Sequence, residues 1–436
     1  MTPHRLSALN KTAAILLIII LLIVVGGAIW YITSGPGGGG AEEGVIKIGT
    51  TISEKGKYAH EGLLAKYGML TVINWYNDRG GIEVGGKKYK LELVYYDDES
   101  NPDRVPELMS TLIEQDKVNF IILPYSSKLT KAAAPVVESH KVIGISHGGA
   151  SDSIFKAGYR YIVQTLSPAS KYLKSIVDML KDQNDPDIKV ALIYENAPFA
   201  STVAQGAKEA LQEAGIPIVY EYAYEAGSQE FGSIISEAMS AGANVLMGGG
   251  HFVDGSALTS QAWDLGWKLK AIAILVAPTL PEFHEQLGDA AEYVLAPAQW
   301  ALGVTYSPEA AQAAGLQWEG PTNEEFINMF KQLTREKEGK EIEPDYHAAE
   351  AGAAIVHLVA AIKKANSLDS DKVRQAFNEV NIMTYFGVLK IDPDTGLQIG
   401  HDMVVVQWQN GVKKIVWPKE AAEADPVYPA PNWWER

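Results

Sequence analysis

The sequence predicts an α/β protein in which two parallel sheets are each wrapped by helices, behind an apolar N-terminal segment. Three observations carry this. After Gly44, short apolar runs alternate with stretches of helical periodicity, the rhythm of strand–helix–strand units. Several runs, such as Phe120-Ile-Ile-Leu123 and Val190-Ala-Leu-Ile193, are apolar at every position, as in strands covered on both faces. The series falls into two blocks, about residues 45–165 and 166–300, each the size of one domain.

The first element is Ala13–Ile32, twenty uncharged and mostly apolar residues. As a helix rising 1.5 Å per residue it covers ~30 Å, the hydrocarbon thickness of a bilayer. Arg5 and Lys11 precede it and favour a cytoplasmic N-terminus. Residues 1–34 are therefore expected to be a cytoplasmic stub and a transmembrane anchor, the other reading being a removed secretory signal. Residues 35–44 are a Gly-rich flexible linker. Under both readings the body of the protein is extracytoplasmic.

Strands are expected at Val45–Ile52, Tyr89–Tyr96, Phe120–Leu123, Val142–Ser146, Val190–Tyr194, Ile218–Tyr222, Asn244–Met247 and Ile272–Val276. Between them, Leu63, Tyr67, Leu70 and Ile73 share one face of a helix that stops before Gly80-Gly81. Ser167-Pro168 reads as an N-cap and first helical residue for a helix reaching about Lys181. Ala204–Ala214 ends at Gly215 and Phe231–Ala241 ends at Gly242, both suited to a left-handed cap. From residue 300 the rhythm changes to a Gly/Pro/Trp-containing loop and two helices, the second at Tyr346–Lys364. Asp392-Pro-Asp-Thr-Gly396 reads as a turn joining antiparallel strands Phe386–Ile391 and Val404–Trp408. Its Asp-x-Asp-x-Gly spacing lacks the later acidic ligands of a calcium loop.

Composition narrows the function. A net charge of −16 and no clustered Lys or Arg exclude a nucleic-acid partner, which would need phosphate neutralisation. With no cysteine there are no disulfides, thiolate nucleophiles or Cys-based zinc sites. The nine histidines form no His-x-x-x-His or His-Glu-x-x-His pair, and no Walker-type phosphate loop occurs, so no metal or other cofactor is expected and ATP hydrolysis would belong to a partner. His347 and His357 read as packing or surface residues.

Residues 45–105 carry Ile48-Gly-Thr-Thr-Ile-Ser53, Asn77-Asp-Arg-Gly-Gly-Ile82 and Leu91-Glu-Leu-Val-Tyr-Tyr-Asp-Asp-Glu-Ser-Asn-Pro102. This closely resembles the N-terminal segment of the extracytoplasmic substrate-binding proteins of branched-chain amino acid-type (leucine/isoleucine/valine-binding-like) ABC transporters, with weaker agreement out to Trp408. The resemblance implies a type I periplasmic binding protein fold, two α/β lobes joined by three crossovers with ligand held in the cleft. On that template lobe one is 45–165 plus 302–376, lobe two is 166–301 plus 377–418, and 419–436 is a C-terminal tail expected to pack along a lobe. It also implies ABC permease and ATPase subunits as membrane partners. Lys11-Thr12-Ala13 loosely resembles the cleavage site of archaeal pilin-like signals, which implies self-assembly through the apolar helix.

Ligands of open parallel sheets collect beyond the carboxyl ends of the strands. Here those loops, Tyr125-Ser126-Ser127 and Ser146-His147-Gly148-Gly149-Ala150-Ser151, are rich in hydroxyls and approachable amides that suit a carboxylate or small planar polar group. The resemblance implies carboxylate binding at Ser126, Ser127, Gly149, Ala150 and Ser151, with Tyr58 at the mouth from lobe one and Phe199, Gly250-His251-Phe252 and Thr279 from lobe two. One departure stands out: amino-acid-binding relatives have an acid after a lobe-two strand, whereas Ile274-Leu-Val-Ala-Pro-Thr-Leu-Pro281 has none. Asp254 or Glu282 substitutes, or the ligand lacks an ammonium, which admits amides, urea-like compounds and carboxylates beside amino acids. Gly144-Ile-Ser146-His-Gly148 matches a nucleophile elbow, but the loop that follows is not the helix an elbow needs, so a Ser146 hydrolase is the weaker alternative. A ligand-sensing ectodomain working with a separate partner is the other.

Overall fold

The computed structural model describes residues 44–435. Two large sheets dominate. The first contains β1 (Gly44–Ile52), β2 (Ile82–Val84), β3 (Lys87–Asp97), β4 (Phe120–Leu123), β5 (Gly144–Ser146) and β6 (Ile162–Gln164) in the order β2-β3-β1-β4-β5-β6. The second contains β7 (Val190–Glu195), β8 (Ile218–Tyr224), β9 (Val245–Gly249), β10 (Ala271–Ile274), β11 (Leu295–Ala298), β15 (Val404–Gln409) and β16 (Val412–Trp417) in the order β16-β15-β11-β10-β9-β7-β8. Within each, the central pairs are parallel, and antiparallel pairing is confined to one edge. The expected strands appear within a few residues, and β4 and β10 are buried at every position as their all-apolar runs require.

Both sheets are doubly wound. The chain leaves β1 toward one edge and returns through β4 toward the other; β7 and β9 repeat the pattern in the second sheet. Each sheet therefore has a switch point where neighbouring loops diverge and leave a crevice. The chain passes between the sheets three times, near residues 165–168, 299–302 and 398–403. Buried hydrogen bonds tie these passages together. Ser167 N donates to Gln299 Oε1 (2.9 Å), Ser167 Oγ to the His401 carbonyl (2.8 Å), and Gln398 Nε2 to the Thr165 carbonyl (2.8 Å). A bend at this point leaves both sheets intact, because it acts on three short segments.

Two expectations are corrected. The helix foreseen from Ser167 instead begins as a short 3₁₀ turn, Ala169–Lys171, followed by a helix over Lys174–Asp182. Ser167 does not cap it because its hydroxyl is committed to His401 across the chain. The hairpin foreseen around Asp392–Gly396 is not one. Its turn forms, with Asp392 Oδ1 accepting from Thr395 N (2.8 Å), but the flanking strands part. β14 (Gly387–Leu389) pairs with β13 (Ile382–Thr384), which pairs with β12 (Gln317–Trp318), so the chain rejoins the second sheet at Val404 rather than at 377. The turn is instead held against the first sheet, Gln164 N donating to the Gly396 carbonyl (2.9 Å).

The C-terminal segment runs along the second sheet: Ala430 N donates to the Lys270 carbonyl, and Trp433 Nε1 to the Trp267 carbonyl (2.6 Å). Among the described residues no helix is long and apolar enough to cross a membrane. The apolar run Ala13–Ile32, with the anchor and self-assembly expected of it, lies outside the described residues.

Candidate functional site

The loops at the two switch points meet. Tyr58 follows β1, Tyr125 and Ser126 follow β4, Phe199 opens the helix after β7, and His251 follows β9. Tyr58 packs edge-on against Tyr125 and His251, with ring centroids 5.7 and 4.8 Å apart. Phe199 lies 5.5 Å from His251 and 5.1 Å from Tyr172. The rings of His60 and Phe252 lie 4.4 Å apart, tilted by 41°. Polar contacts cross between the sheets at the same place: Tyr125 OH with His251 Nδ1 (2.8 Å), Ser151 Oγ with Thr202 Oγ1 (2.8 Å), and the Lys57 ammonium with the Glu195 carboxylate. Tyr125, Tyr172, Phe199, His251, Tyr346 and Glu350 enclose a cavity of about 10 Å³, the room one water needs. A solute of several heavy atoms therefore enters only when the two sheets part. A wider hollow of about 350 Å³ between Lys171–Asp178 and Trp417–Glu420 shares no residue with this cluster.

A second set of side chains comes from two helices packed on the first sheet. Helix Ala59–Asp78 and helix Tyr346–Ala365 approach closely because neither has a side chain at the crossing; a Cβ on Gly68 would lie 2.0 Å from the Ala348 carbonyl oxygen. That approach brings Glu61 beside His347. Asp345 caps the second helix and holds His347 Nδ1 at 2.5 Å, fixing the ring. Both side chains are wholly buried; neither oxygen of Glu350 has a hydrogen-bond partner, and Glu61 makes no close one, with only the backbone amides of Phe252 and of Glu61 itself giving its carboxylate lesser support. Glu61 Oε1 is 3.9 Å from His251 Nδ1, and Glu350 Oε1 is 3.9 Å from His147 Nδ1.

Burial sets the protonation of these groups. It pushes the Glu61 carboxyl up to about 7, against a smaller opposing effect of His347. It raises Glu350 well above the usual carboxylate range, with Asp345 adding to the effect. The same desolvation brings His147 down to about 3 and His251 well below its ordinary value. Glu195 is raised as well, chiefly by burial, with Lys57 opposing.

Of the residues singled out from the sequence, Phe199 and His251 line this cavity, Tyr58 packs on Tyr125 and His251 outside its wall, and Ser126 follows Tyr125 in the chain. Ser127, Gly149, Ala150 and Ser151 are not on the cavity wall, and their polar groups are used within the protein: Ser151 N donates to Ser127 Oγ (3.0 Å) and the Ala150 carbonyl accepts from Ala169 N (2.8 Å). Thr279 stands apart. The chain turns at Val276 (φ 21°), and Thr279 Oγ1 donates back to the Val276 carbonyl at 2.7 Å. Asp254 is spent on the His251 amide (3.0 Å) and the Tyr224 hydroxyl, and Glu282 is not on the cavity wall. Ser146 Oγ accepts from Gly149 N (3.0 Å), the bond of a tight turn and not of a paired nucleophile. His347 and His357 are fully buried, and His347 belongs to the site. Sequence reasoning missed Glu61, His147, Tyr172, Tyr346, His347 and Glu350. One signal was available: Tyr346-His347-Ala-Ala-Glu350 places polar groups three and four apart on an otherwise apolar helix.

Replacing Tyr125 by Phe is expected to leave His251 Nδ1 unpaired between the sheets and to cost the closed arrangement about 1–2 kcal/mol. Small-angle scattering should then show a more extended average shape; an unchanged profile and unchanged ligand affinity would refute this.

A sequence model described as "Periplasmic binding protein" matches residues 45–413. The chain is 27% identical over 393 residues to Leu/Ile/Val-binding protein homolog 7 of Brucella abortus (strain 2308), covering 86% of this chain and 92% of that protein. Among solved structures it superposes on the leucine-binding protein LivK of Thermotoga maritima with TM-score 0.71 and 20% identity, covering 85% of this chain and 97% of that one. A solute-binding protein of an ABC transporter from R. palustris, in complex with 4-hydroxybenzoate, gives TM-score 0.71 and 21% identity, covering 89% and 99%. At these identities the two structures speak for a shared fold.

Proposed function

The chain belongs to the periplasmic binding protein family, and from that premise we propose that it is the extracytoplasmic solute-binding protein of an ABC importer. It captures a small polar organic solute between two lobes and releases it unchanged to a membrane permease served by ATPase subunits. The solute class spans amino acids, amides, urea-like compounds and carboxylates, aromatic acids included. Relatives named for leucine, isoleucine and valine and a structural neighbour bound to 4-hydroxybenzoate support that range. The observation that carries the reading is the aromatic and polar cluster at two facing switch points, closed by hydrogen bonds from sheet to sheet. A solute that touches both sides favours the closed form by its differential affinity for that form. The three tied passages near 165, 300 and 400 serve as the hinge. Residues 13–32 hold the protein at the outer membrane surface through the linker.

A thermal-shift screen of amino acids, amides, ureas, carboxylates and amines tests this. A cleft ligand at 100 times its dissociation constant adds about 2.7 kcal/mol to stability. Stabilisation by one chemical class, with the solute recovered intact, is the expected result. Chemical conversion of the solute would overturn it.

A further inference from the structure

The hydroxyls and amides that would cradle a carboxylate are already bonded to each other. Ser151 N and Ser127 Oγ are 3.0 Å apart, Ser151 Oγ and Thr202 Oγ1 2.8 Å, and Gly149 N and Ser146 Oγ 3.0 Å. A methyl group on Gly149 would lie 2.4 Å from Thr130 Oγ1, so that face of the residue is filled by the protein itself. The unmatched groups that only accept when ionised are both oxygens of Glu61 and of Glu350; His147 Nδ1 and His347 Nε2 are unmatched too and accept or donate by tautomer, all on side chains no more than 1% exposed. Ser126 Oγ is also unmatched, and a hydroxyl accepts as well as it donates. No lysine or arginine lines the cavity, and Lys57 at its edge is paired with Glu195. The remaining wall is aromatic.

We propose that this cavity takes the cationic, N–H-bearing head of an organic solute, an ammonium, amidinium or guanidinium, with Glu350 on its wall as the counterion, Glu61 adding its charge from behind His251, and Tyr125, Tyr172 and Tyr346 as the walls around it. The inference rests on the solute-binding reading above and moves its ligand class from amides and carboxylates to cationic N–H compounds. The physics is direct: buried acceptors without donors are costly, a cation with several N–H groups supplies both charge and donors, and aromatic faces attract it further. The groups facing Glu61 are Asp345, the cap of helix Tyr346–Ala365, Tyr346 and His347 on that helix, Tyr58 after β1, His251 from the β9 tip and Tyr125 from the β4 tip. Those facing Glu350 are Asp345 at the cap of its helix, Tyr346 on it, His147 after β5, Tyr172 and Tyr125. Burial holds protons on both carboxyls, so a bound cation displaces them.

Three probes of one shape decide the matter: 3-methylbutylamine, leucine and 4-methylpentanoate, titrated calorimetrically into the protein at pH 6.5 in two buffers of different ionisation enthalpy. The amine is expected to bind at least tenfold tighter than leucine, the acid not at all, and amine binding to release protons. Glu350→Gln is expected to weaken the amine at least tenfold while its unliganded melting temperature is unchanged or higher. Tighter binding of leucine or 4-methylpentanoate, or amine binding without proton release, overturns the proposal and leaves the importer reading standing. Failure of every probe, together with a silent solute screen, overturns both.

Discussion

Glu61→Gln is expected to make the ligand-free protein more stable at pH 8 than its parent by about 3 kcal/mol, and to change little at pH 4.5. The carboxyl is held at about 7 in the folded chain against 4.5 when exposed. Between those values the folded chain keeps a proton that the unfolded chain has lost. Stability therefore falls as pH rises through that window, and the whole cost stands above it. Glutamine cannot ionise and escapes the cost. The buried histidines work in the other direction. His147 and His357 are held near 3 and His401 near 4, so acid destabilises the protein as the unfolded chain takes up protons below 6.5. That effect is common to parent and variant and cancels in their difference. Urea melts of both at pH 5 and pH 8 measure it; an offset that is the same at the two values would sink the account. Such a gain, coupled to lost binding, is the mark of a site kept at the expense of stability.

Gly248→Ala is expected to destabilise the fold by at least about 3 kcal/mol. Gly248 is the last residue but one of β9 and has φ 136°, a conformation that side chains rarely adopt. A Cβ there would lie 1.9 Å from the Ile193 carbonyl oxygen, in the backbone of the neighbouring strand β7. Neither atom can move without breaking the β7–β9 pairing that carries Gly249, Gly250 and His251 to the cavity. Gly242→Ala is the control: φ is 77°, nothing lies within 4 Å, and only the strain of a left-handed residue is added, about 1 kcal/mol. Equal losses for the two variants in denaturant melts would show that the close backbone approach is not what demands glycine at 248.

The fold was legible because its signals are local. Phe120–Leu123 and Val190–Ile193 are apolar throughout since helices cover both sides, and Gly215 closes its helix at φ 70° as a left-handed cap does. The hydroxyl-rich loops were also visible, since a strand followed by Ser and Gly marks a strand tip. What those hydroxyls do was not visible, because Ser127, Ser151 and Thr202 satisfy one another over separations of 24 and 51 residues. The acids were hidden for the same reason. The carboxylate of amino-acid-binding relatives is absent after β10, and Glu350 on the cavity wall and Glu61 beside His347 come from two helices that Gly68 lets approach.

Sequence alone determined the alternation of strand and helix, the two-sheet architecture and the family, since apolar period, glycine caps and short motifs are written within a few residues of each other. Only the tertiary structure decided which polar groups are left without partners around the cavity. Satisfaction of a buried donor or acceptor depends on neighbours distant in the chain, and no local pattern records it.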